Sequence, residues 1–206
     1  MEYKEKVEHW DNIYSTKKFE EVSWFELVPK LSLDVVSKYC ADKTADIIDV
    51  GGGVSYLSEY LLDSGYSKIT VLDISKNAIE TTKNRLGAKS SKINWIKADA
   101  SDFQTDLYFD FWHDRAAFHF LNNEKDISNY IEMTNKYIKV NGYLVVGAFS
   151  EQGPTKCSGI EITQYSKEKL VNHFESKFDL VDCFNQDHTT PSGANQNFIY
   201  CIFKKH

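Results

Sequence analysis

Short runs of apolar and β-branched residues alternate along the chain with longer stretches whose apolar positions recur every three or four residues. The short runs predict strands, and the longer stretches predict helices. Seven strands are predicted, at residues 46–50, 68–73, 93–98, 108–113, 142–149, 178–184 and 197–203. Helices are predicted at residues 55–64, 76–86, 126–140 and 167–174, with Ser75 and Ser166 as N-caps and Gly87 as the stop of 76–86.

The order of these elements predicts an α/β fold. Strands that alternate with helices form a mostly parallel sheet with helices on both faces, here a Rossmann-like sheet of seven strands. Only a short loop separates the last two strands, so they must pair as a hairpin and the last strand must run antiparallel to the rest. Residues 7–14 and 24–39 have helical character. We expect a single domain, 1–206, in which an N-terminal helical cap, 1–44, lies on a core of residues 45–206.

Composition narrows the class of protein without identifying it. A chain of 206 residues is long enough for one domain with a sizeable core. The net charge of −6 argues against a dedicated nucleic-acid binder, which usually presents a basic face. No run approaches the ~18 apolar residues of a membrane span, and the first residues lack the apolar stretch of a signal peptide. We therefore expect a cytoplasmic location with no membrane and no nucleic-acid partner.

The four cysteines, Cys40, Cys157, Cys183 and Cys201, form no CxxC pair. This spacing gives no support to a structural zinc site or a redox motif, and we expect no metal. In a cytosolic chain, isolated cysteines are usually small core residues or free thiols, and we expect this of all four.

The strongest candidate site is the segment 47–55, in which a buried strand leads through Gly51, Gly52 and Gly53 into a helix. Glycines allow a sharp turn and the close approach of a ligand, and the N-terminus of the helix offers free N–H groups. Asp49 lies near the end of the strand. Strand, glycine loop and helix together predict a nucleotide-type cradle.

Two acids at the ends of the next two strands complete a nucleoside pocket. Asp73, followed by Ile74, lies 22 residues after Gly51, where a doubly wound sheet places an acid that accepts hydrogen bonds from ribose hydroxyls. Asp99, followed by Ala100, ends the third strand and is placed to accept from the exocyclic amine of an adenine. Each acid alone is also common turn chemistry. The three segments in succession favour the pocket.

Two cofactors suit such a pocket, a nicotinamide dinucleotide and S-adenosylmethionine. The dinucleotide fingerprint G-x-G-x-x-G fails at its third glycine, where this chain has Tyr56, and the reversed last strand is foreign to the usual dinucleotide topology. With residues 49–53, the two acids and the terminal hairpin, nearly the whole chain resembles the class I S-adenosylmethionine-dependent methyltransferases. The resemblance implies S-adenosylmethionine as the cofactor and S-adenosylhomocysteine as its product. It also implies cofactor-binding roles for Asp49, Gly51, Gly52, Gly53, Asp73, Ile74, Asp99, Ala100 and Asp114.

A narrower resemblance lies at the N-terminus. Residues 9–14 (HWDNIY) and 22–25 (VSWF) are similar to the aromatic lead-in of the thiopurine methyltransferase-like group and of the citrate synthase and elongation factor lysine methyltransferases. In such enzymes the segment folds over the cofactor, which implies that Trp10, Tyr14 and Trp24 help to enclose the methyl donor. An equally simple interpretation is that these aromatics only anchor the cap in the core. A sulfonium cation beside aromatic faces is physically sensible in either case.

The segment after the fourth strand, 112–120, carries the densest cluster of reactive side chains and one of only two arginines. Ligands bind outside the carboxyl ends of parallel strands, so the catalytic candidates lie here. His113 or His119 could take a proton near neutral pH, and Asp114 could orient Arg115 or contact the donor's amino group. Arg115 could hold an anionic group with its planar fork. The alternative is a structural Asp114–Arg115 pair with both histidines satisfied in the core.

The resemblance implies methyl transfer by direct in-line displacement. The bounded pocket and the acidic surface favour a small-molecule acceptor, with a thiol or another soft nucleophile as the accepting group. The loops 150–154, 157–159 and 188–193 are expected to shape the acceptor pocket, with Cys157 as a bystander. A protein lysine methyltransferase is the first alternative, although residues 113–116 (HDRA) depart from the acidic-lysine-glycine phrase of those enzymes. A non-catalytic module that binds S-adenosylmethionine is an alternative of another class, and a nicotinamide oxidoreductase is a more distant one. The accepting atom, the use of a base and the oligomeric state stay open.

Overall fold

A seven-stranded sheet forms the centre of the protein, for which a computed structural model describes residues 2–206. Its strands are β1 (Asp46–Val50), β2 (Lys68–Asp73), β3 (Ile93–Lys97), β4 (Phe109–Arg115), β5 (Ile138–Phe149), β6 (Phe178–Thr189) and β7 (Asn195–Lys205). They lie in the order β3-β2-β1-β4-β5-β7-β6. Strands β1 to β5 are parallel, and β7 runs antiparallel to both of its neighbours, β5 and β6. The predicted Rossmann-like α/β fold with a reversed last strand is confirmed.

Six α-helices accompany the sheet in the described chain: α1 (Tyr3–Thr16), α2 (Lys30–Tyr39), α3 (Leu57–Asp63), α4 (Lys76–Leu86), α5 (Glu124–Tyr137) and α6 (Lys167–Phe174). The predicted caps are present: the Ser75 hydroxyl accepts from the Ala78 amide, and Gly87 ends α4 with a φ of 55°. A separate ribbon of two short strands, Lys156–Cys157 and Ile160–Glu161, follows β5. None of the helices in residues 2–206 has the length and apolarity that crossing a membrane requires.

Both faces of the sheet are covered, because successive strand residues point to opposite sides. On one face Trp112 packs into a cluster that includes residues of α5 and α6, and its indole N–H donates to the Tyr130 hydroxyl at 3.0 Å. On the other face the neighbouring Phe111 packs with residues of α2 and α3. The alternation of strands and helices in the sequence therefore reflects a three-layer structure.

The helix predicted over 24–39 is wrong in its first part, because α2 begins only at Lys30. Proline at position 29 disfavours a helical conformation in the residue before it. The carbonyl of Trp24 and the carboxylate of Glu26 are bound by Arg115, which holds this segment outside a helix. The helix predicted over 126–140 is also too long, since α5 ends at Tyr137 and Ile138 already pairs with Phe109 in the sheet.

The expectation that all four cysteines are free is wrong for two of them. Cys183 and Cys201 lie directly opposite each other on β6 and β7 and are joined by a disulfide. They are separated by 18 positions in sequence, and only the register of the hairpin brings them together. Cys40 and Cys157 are buried free thiols.

Candidate active site

A cavity of about 180 Å³ lies at the carboxyl ends of the parallel strands, where an α/β sheet binds its ligands. We call one side of it the strand-end wall, formed by Gly51, Asp73, Ile74, Asp99 and Ala100. The other side is the cap wall, formed by Trp10, Tyr14, Trp24, Phe120, Cys157 and Ile160. Residues predicted from four separate segments therefore meet around one space.

The glycine loop is tied directly to Asp73. The Gly51 amide donates to the Leu72 carbonyl at 2.8 Å, and Gly51 has a φ of 71°, which favours glycine. The Gly53 amide donates to Asp73 Oδ2 at 2.9 Å, and a Cβ at Gly53 would lie 2.5 Å from that same oxygen. A glycine is required at position 53 because the carboxylate approaches its backbone so closely. Gly53 itself lines no part of the cavity.

Asp73 is buried at the floor of the strand-end wall. Its Oδ1 accepts from the Ser75 amide at 2.8 Å. Burial raises its pKa to about 6, against the hydrogen bonds from Ser75 and Gly53, and the nearby carboxylates Asp49 and Asp11 add to the rise. Near neutral pH the group is mostly ionised and able to accept hydrogen bonds from hydroxyl groups.

Asp99 has a partner that the sequence patterns did not reveal. Its Oδ1 accepts from the amide and hydroxyl of Ser101, and its Oδ2 accepts from Lys6 Nζ at 3.0 Å. Lys6 also pairs with Asp126 at 2.8 Å. Burial opposes the charge of Lys6, but the hydrogen bond to Asp126 and the charge of Asp99 outweigh it and raise its pKa. Helix α1 is therefore fastened to the strand-end wall by an ion pair formed across 93 positions of sequence.

Asp11 makes a second connection between α1 and the core. Its Oδ1 accepts from the Ser75 hydroxyl at 2.6 Å and from the Asn77 amide at 3.1 Å, at the N-terminus of α4. A carboxylate is favourable there because the first amides of a helix lack partners within the helix. With Lys6 near one end and Asp11 further along, α1 is held across the mouth of the cavity.

The cap wall is largely aromatic. The ring of Trp10 meets those of Trp24 and Phe120 edge-on, with centroids 5.9 and 5.0 Å apart, and stacks with Tyr14 at 6.0 Å. Burial raises the pKa of Tyr14 well above its usual range, and the charge of Asp73 adds to this, so Tyr14 stays a neutral phenol. The three predicted aromatics thus both line the cavity and pack against each other, which combines the two interpretations of the sequence.

Each nitrogen of the Arg115 fork donates to a protein acceptor. Its Nε donates to the Tyr200 hydroxyl at 3.0 Å, Nη1 to the Trp24 carbonyl at 3.1 Å and Nη2 to Glu26 Oε1 at 3.2 Å. His188, from the β6–β7 hairpin, also contacts Glu26, with Nδ1 at 3.2 Å from Oε1. We call this group, Arg115, Glu26 and His188, the cap clamp. The clamp holds Trp24 in the cap wall, and Arg115 lines the cavity beside it.

Asp114 and His119 lie outside the cavity wall. Asp114 accepts from the Ala117 and Phe118 amides and from the Tyr130 hydroxyl, so the expected Asp114–Arg115 pair is not formed. Burial raises the pKa of Asp114 to about 6. Burial together with the charge of Arg115 lowers the pKa of His119 to about 3. Its Nδ1 accepts from the Phe149 amide at 3.2 Å, which places this histidine in the core.

His113 is likewise buried, but it borders a second, smaller space. Its Nδ1 lies 2.7 Å from Asp49 Oδ1, and its Nε2 lies 2.9 Å from the Ser32 hydroxyl. These three residues line a cavity of about 40 Å³ together with Gly52 of the glycine loop. Gly51, Trp24 and Arg115 border both this cavity and the larger one. Ser32 and Lys6 are polar partners of the site that no motif indicated.

Comparison with known proteins identifies a family for part of the chain. Residues 47–142 match the family model described as a methyltransferase domain. This part of the chain is a methyltransferase domain. The match begins within β1 and ends before the reversed strand, so it covers the glycine loop and both acids of the strand-end wall.

Individual relatives agree on this domain and differ in substrate. Malonyl-[acyl-carrier protein] O-methyltransferase 2 of Ilyobacter polytropus is 25% identical over 112 residues, which cover 54% of this chain and 42% of that protein. EEF1A lysine methyltransferase 2 of Homo sapiens is 25% identical over 193 residues, covering 85% of this chain and 75% of that protein. A solved structure described as the conversion of a disulfide bond into a thioacetal group during echinomycin biosynthesis has a TM-score of 0.78 at 17% identity, covering 97% of this chain and 92% of that chain. The aligned part thus spans less than half of the Ilyobacter protein.

The cofactor of this class of methyltransferase is S-adenosylmethionine, and the residues present fit that molecule. The Asp73 carboxylate lines the cavity and could accept from ribose hydroxyls, and the aromatic cap wall lines the same cavity and could take a sulfonium. Asp49 Oδ2 is buried and has no hydrogen-bond partner among the described residues, which leaves an acceptor beside the glycine loop. The recognition of a class I methyltransferase in the sequence is confirmed.

Proposed function

We propose that the protein transfers a methyl group from S-adenosylmethionine to a small-molecule acceptor whose nucleophile is soft, with a thiol as the preferred class. One observation carries this proposal: the cap wall is apolar and its ionisable groups are held neutral. Tyr14 is one of these groups, and burial also raises the pKa of the Cys157 thiol. The cap wall therefore offers an acceptor an apolar surface that carries no base of its own; the carboxylates of the cavity, Asp73, Asp99 and Asp126, lie outside this wall.

This environment matters because the acceptor must present a free lone pair. S-adenosylmethionine, when bound, supplies a methyl group on a positively charged sulfur and leaves as S-adenosylhomocysteine. An aliphatic amine is mostly protonated near neutral pH and needs a base, whereas a thiol is already partly ionised. Attack by a thiolate forms the carbon–sulfur bond of a thioether and needs no proton acceptor from the protein.

The contribution of the chain is then positioning and the exclusion of water. Asp73 and Asp99 bind the nucleoside end of the methyl donor. The cap clamp holds Trp24 in the wall of the cavity in which the acceptor lies. Positioning of this kind supplies up to ~7–11 kcal/mol of a barrier. A cavity of about 180 Å³, lined on one side by Lys6, Trp10 and Tyr14 of α1, suits a compact acceptor better than a long polymer.

A protein lysine acceptor is the second candidate, and a specific observation favours it. The human relative that covers most of this chain carries the name of a lysine methyltransferase, and the lead-in HWDNIY is similar to that group. The departure at residues 113–116 and the neutral cap wall argue for the small-molecule acceptor.

Transfer of labelled methyl groups tests the proposal. The purified protein is incubated with methyl-labelled S-adenosylmethionine and either a panel of small thiols and amines or an extract fractionated into protein, nucleic acid and small molecules, with the headspace collected. We expect label in thioethers, including volatile ones, and S-adenosylhomocysteine in equal amount. Label confined to one protein band would overturn the small-molecule acceptor in favour of lysine. Tight donor binding without transfer to any fraction would favour a non-catalytic binding module.

A further inference from the structure

The cap clamp holds more positive than negative charge. Burial would raise the pKa of Glu26, but the hydrogen bond from His188 and the charge of Arg115 outweigh it and lower this pKa. The ring of His188 faces two oxygens: its Nε2 lies 2.7 Å from the Ser23 carbonyl oxygen, and its Nδ1 lies 3.2 Å from Glu26 Oε1. Both oxygens only accept, so the ring that serves both is the doubly protonated imidazolium. Two cations then surround one carboxylate.

Arg115 has donors left for a ligand. Its guanidinium carries five N–H groups, of which three donate to Tyr200, Trp24 and Glu26. One N–H on each terminal nitrogen therefore has no acceptor among the described residues. The side chain is 13% exposed, borders the larger cavity and is held with Cζ 5.3 Å from the centroid of the Phe198 ring. A fixed cation with free donors thus lies beside the space proposed for the acceptor.

Other titratable groups near Arg115 keep it charged. Burial opposes its charge, but Tyr200, Glu26 and Asp49 outweigh burial and raise its pKa. Asp49 lies 2.7 Å from His113 and lines the smaller cavity, not the larger one. The negative charge of Asp49 is therefore outside the space in which the acceptor lies.

The larger cavity is polarised between its two sides. Asp99 and Asp126 share one cation, Lys6, which leaves a net negative charge on that side, and Asp73 lies on the same strand-end wall. This side suits a methyl donor that carries a positive sulfur. Of the two cations that line the cavity in the described chain, Arg115 is the one that belongs to the cap clamp. A negatively charged acceptor is therefore favoured at the clamp.

A thiol of the cap wall already experiences the charge of Arg115. Cys157 lines the same cavity. Burial raises the pKa of its thiol, and the charges of Lys17 and Arg115 act against this rise. An opposite charge within about 4–6 Å lowers the pKa of an acid by about 1–3 units. A small thiol in contact with Arg115 would therefore be bound as its thiolate near neutral pH.

We propose that Arg115 binds the sulfur of the acceptor as a thiolate, and that His188 is a positioning residue whose charge prevents Glu26 from neutralising Arg115. The inference rests on the proposed function, since it needs a thiol acceptor. The thiol loses its proton to water on binding, and the thiolate then attacks the methyl carbon. A carbon–sulfur bond forms, the bond between the methyl group and the sulfonium breaks, and its electron pair stays on the sulfur of S-adenosylhomocysteine.

The pH dependence of turnover tests this role. The acceptor is whichever of 2-mercaptoethanol, thiophenol and the other thiols of the panel reacts fastest. With donor and acceptor saturating, the midpoint of kcat against pH reports the ionisation of the bound acceptor. We expect Arg115→Met to raise the midpoint by about one pH unit and His188→Gln to raise it by less. Glu26→Gln should lower it, because the clamp becomes more positive.

Two further variants separate charge from structure. Arg115→Lys keeps the charge, so its midpoint should stay near that of the wild type although its rate falls. Glu161→Gln is the control for Glu26→Gln, because Glu161 is an exposed carboxylate of the short ribbon that pairs with Lys156. It should leave the midpoint unchanged. Glu26→Gln keeps an acceptor oxygen for Arg115, so it tests the charge even if Arg115→Met is unstable.

A second measurement needs no acceptor. Cys157 and Cys40 are free thiols, and their alkylation by iodoacetamide at about pH 8 is followed by mass spectrometry. Alkylation follows the thiolate fraction, so Glu26→Gln should speed it at Cys157 and Arg115→Met should slow it, about threefold each. Cys40 is the internal reference, because its raised pKa of about 11 arises from burial and from charges outside the clamp. A clamp that only supports the fold predicts faster alkylation in both variants, because loosening exposes the thiol.

Each result has a distinct meaning. Transfer to a thiol with the same midpoint in the wild type, Arg115→Met and Glu26→Gln would overturn the role of Arg115 while leaving the proposed function standing. A lower rate at every pH without a shift of the midpoint would do the same and would reduce the clamp to a structural element. If no thiol accepted a methyl group, the proposed function itself would fail, and this inference with it.

Discussion

On the strand-end wall, Gly51, Asp73 and Asp99 lie at or just beyond the ends of parallel strands. The Gly51 amide donates to the Leu72 carbonyl, and the two carboxylates accept from nearby backbone amides. On the cap wall, Trp24 is held by Arg115 from β4, and the clamp is completed by His188 from the last hairpin. The first wall is built from local strand-to-helix turns, whereas the second is assembled from segments far apart in sequence. The comparison teaches that the proposed donor site is specified by the fold, while the proposed acceptor site would depend on how the cap is seated.

Removing the acid of the strand-end wall should have the largest effect. We expect Asp73→Ala to weaken S-adenosylhomocysteine binding by about 1–3 kcal/mol, because the ribose hydroxyls lose their acceptor. Calorimetry measures the change, with Asp106→Ala as a control for an exposed aspartate. Unchanged affinity would remove Asp73 from the donor site and reduce the strand-end wall to a structural turn.

The raised pKa of Asp73 predicts that donor binding depends on pH. Binding favours the ionised carboxylate, so the affinity for S-adenosylhomocysteine should fall by up to about tenfold as the pH drops from about 7 to about 5, through the pKa of about 6. Without a bound donor, pH affects the stability of the fold in the opposite direction. The folded state binds the proton of Asp73 more tightly than the unfolded chain does. The free energy of unfolding should therefore fall as the pH rises from 3.8, the ordinary pKa of this group, to about 6. Titration of binding against pH tests this, and Asp73→Asn should abolish the dependence. A flat profile for the wild type would contradict it.

Weakening the cap clamp should affect the acceptor more than the donor. A lysine cannot reproduce the three contacts of the Arg115 fork, so we expect Arg115→Lys to lower the methyl-transfer rate about five- to tenfold and to lower the melting temperature. Donor affinity should change little. His188→Gln keeps Arg115 in place and should show a smaller effect in the same direction. A normal rate together with normal stability in Arg115→Lys would show that the cap wall does not depend on the clamp.

The smallest effect is expected at the ion pair that fastens α1. Lys6→Met removes the contacts to Asp99 and Asp126 and should weaken S-adenosylhomocysteine binding about two- to threefold at low salt. The difference from the wild type should shrink as salt is added. Lys4→Met is the control, because Lys4 is exposed and pairs only with Glu8 among the described residues. A loss as large as that of Asp73→Ala would show that α1 belongs to the donor site itself.

Several features of the strand-end wall could be predicted from sequence because each rests on a local pattern. The strands at 46–50 and 68–73 have the predicted bounds, and Ser75 caps α4 as expected. Gly51 and Asp73 meet at the cavity because parallel strands bring their carboxyl ends to one edge of the sheet. The reversed strand followed from the short loop before it, which leaves no room for a crossover.

Residues 112–120 show what could not be predicted from the sequence alone. Residues 112–120 were expected to present their side chains to the acceptor, yet Asp114 and His119 turn into the core and Arg115 binds the cap segment. A strand end shows which residues reach the ligand edge, but not which acceptors lie within reach of their side chains. Those acceptors come from other elements, such as the Trp24 carbonyl and the Tyr200 hydroxyl.

The sequence by itself determined the α/β fold, the glycine loop and the two acids of the donor site, because periodicity and strand-end position are local properties of the chain. Only the tertiary structure decided the hydrogen-bond partners of Arg115, the ion pair between Lys6 and Asp99 and the Cys183–Cys201 disulfide. The contact between His188 and Ser23 joins residues 165 positions apart, at a distance of 2.7 Å. Such contacts depend on the register and packing of whole elements, which no local pattern encodes.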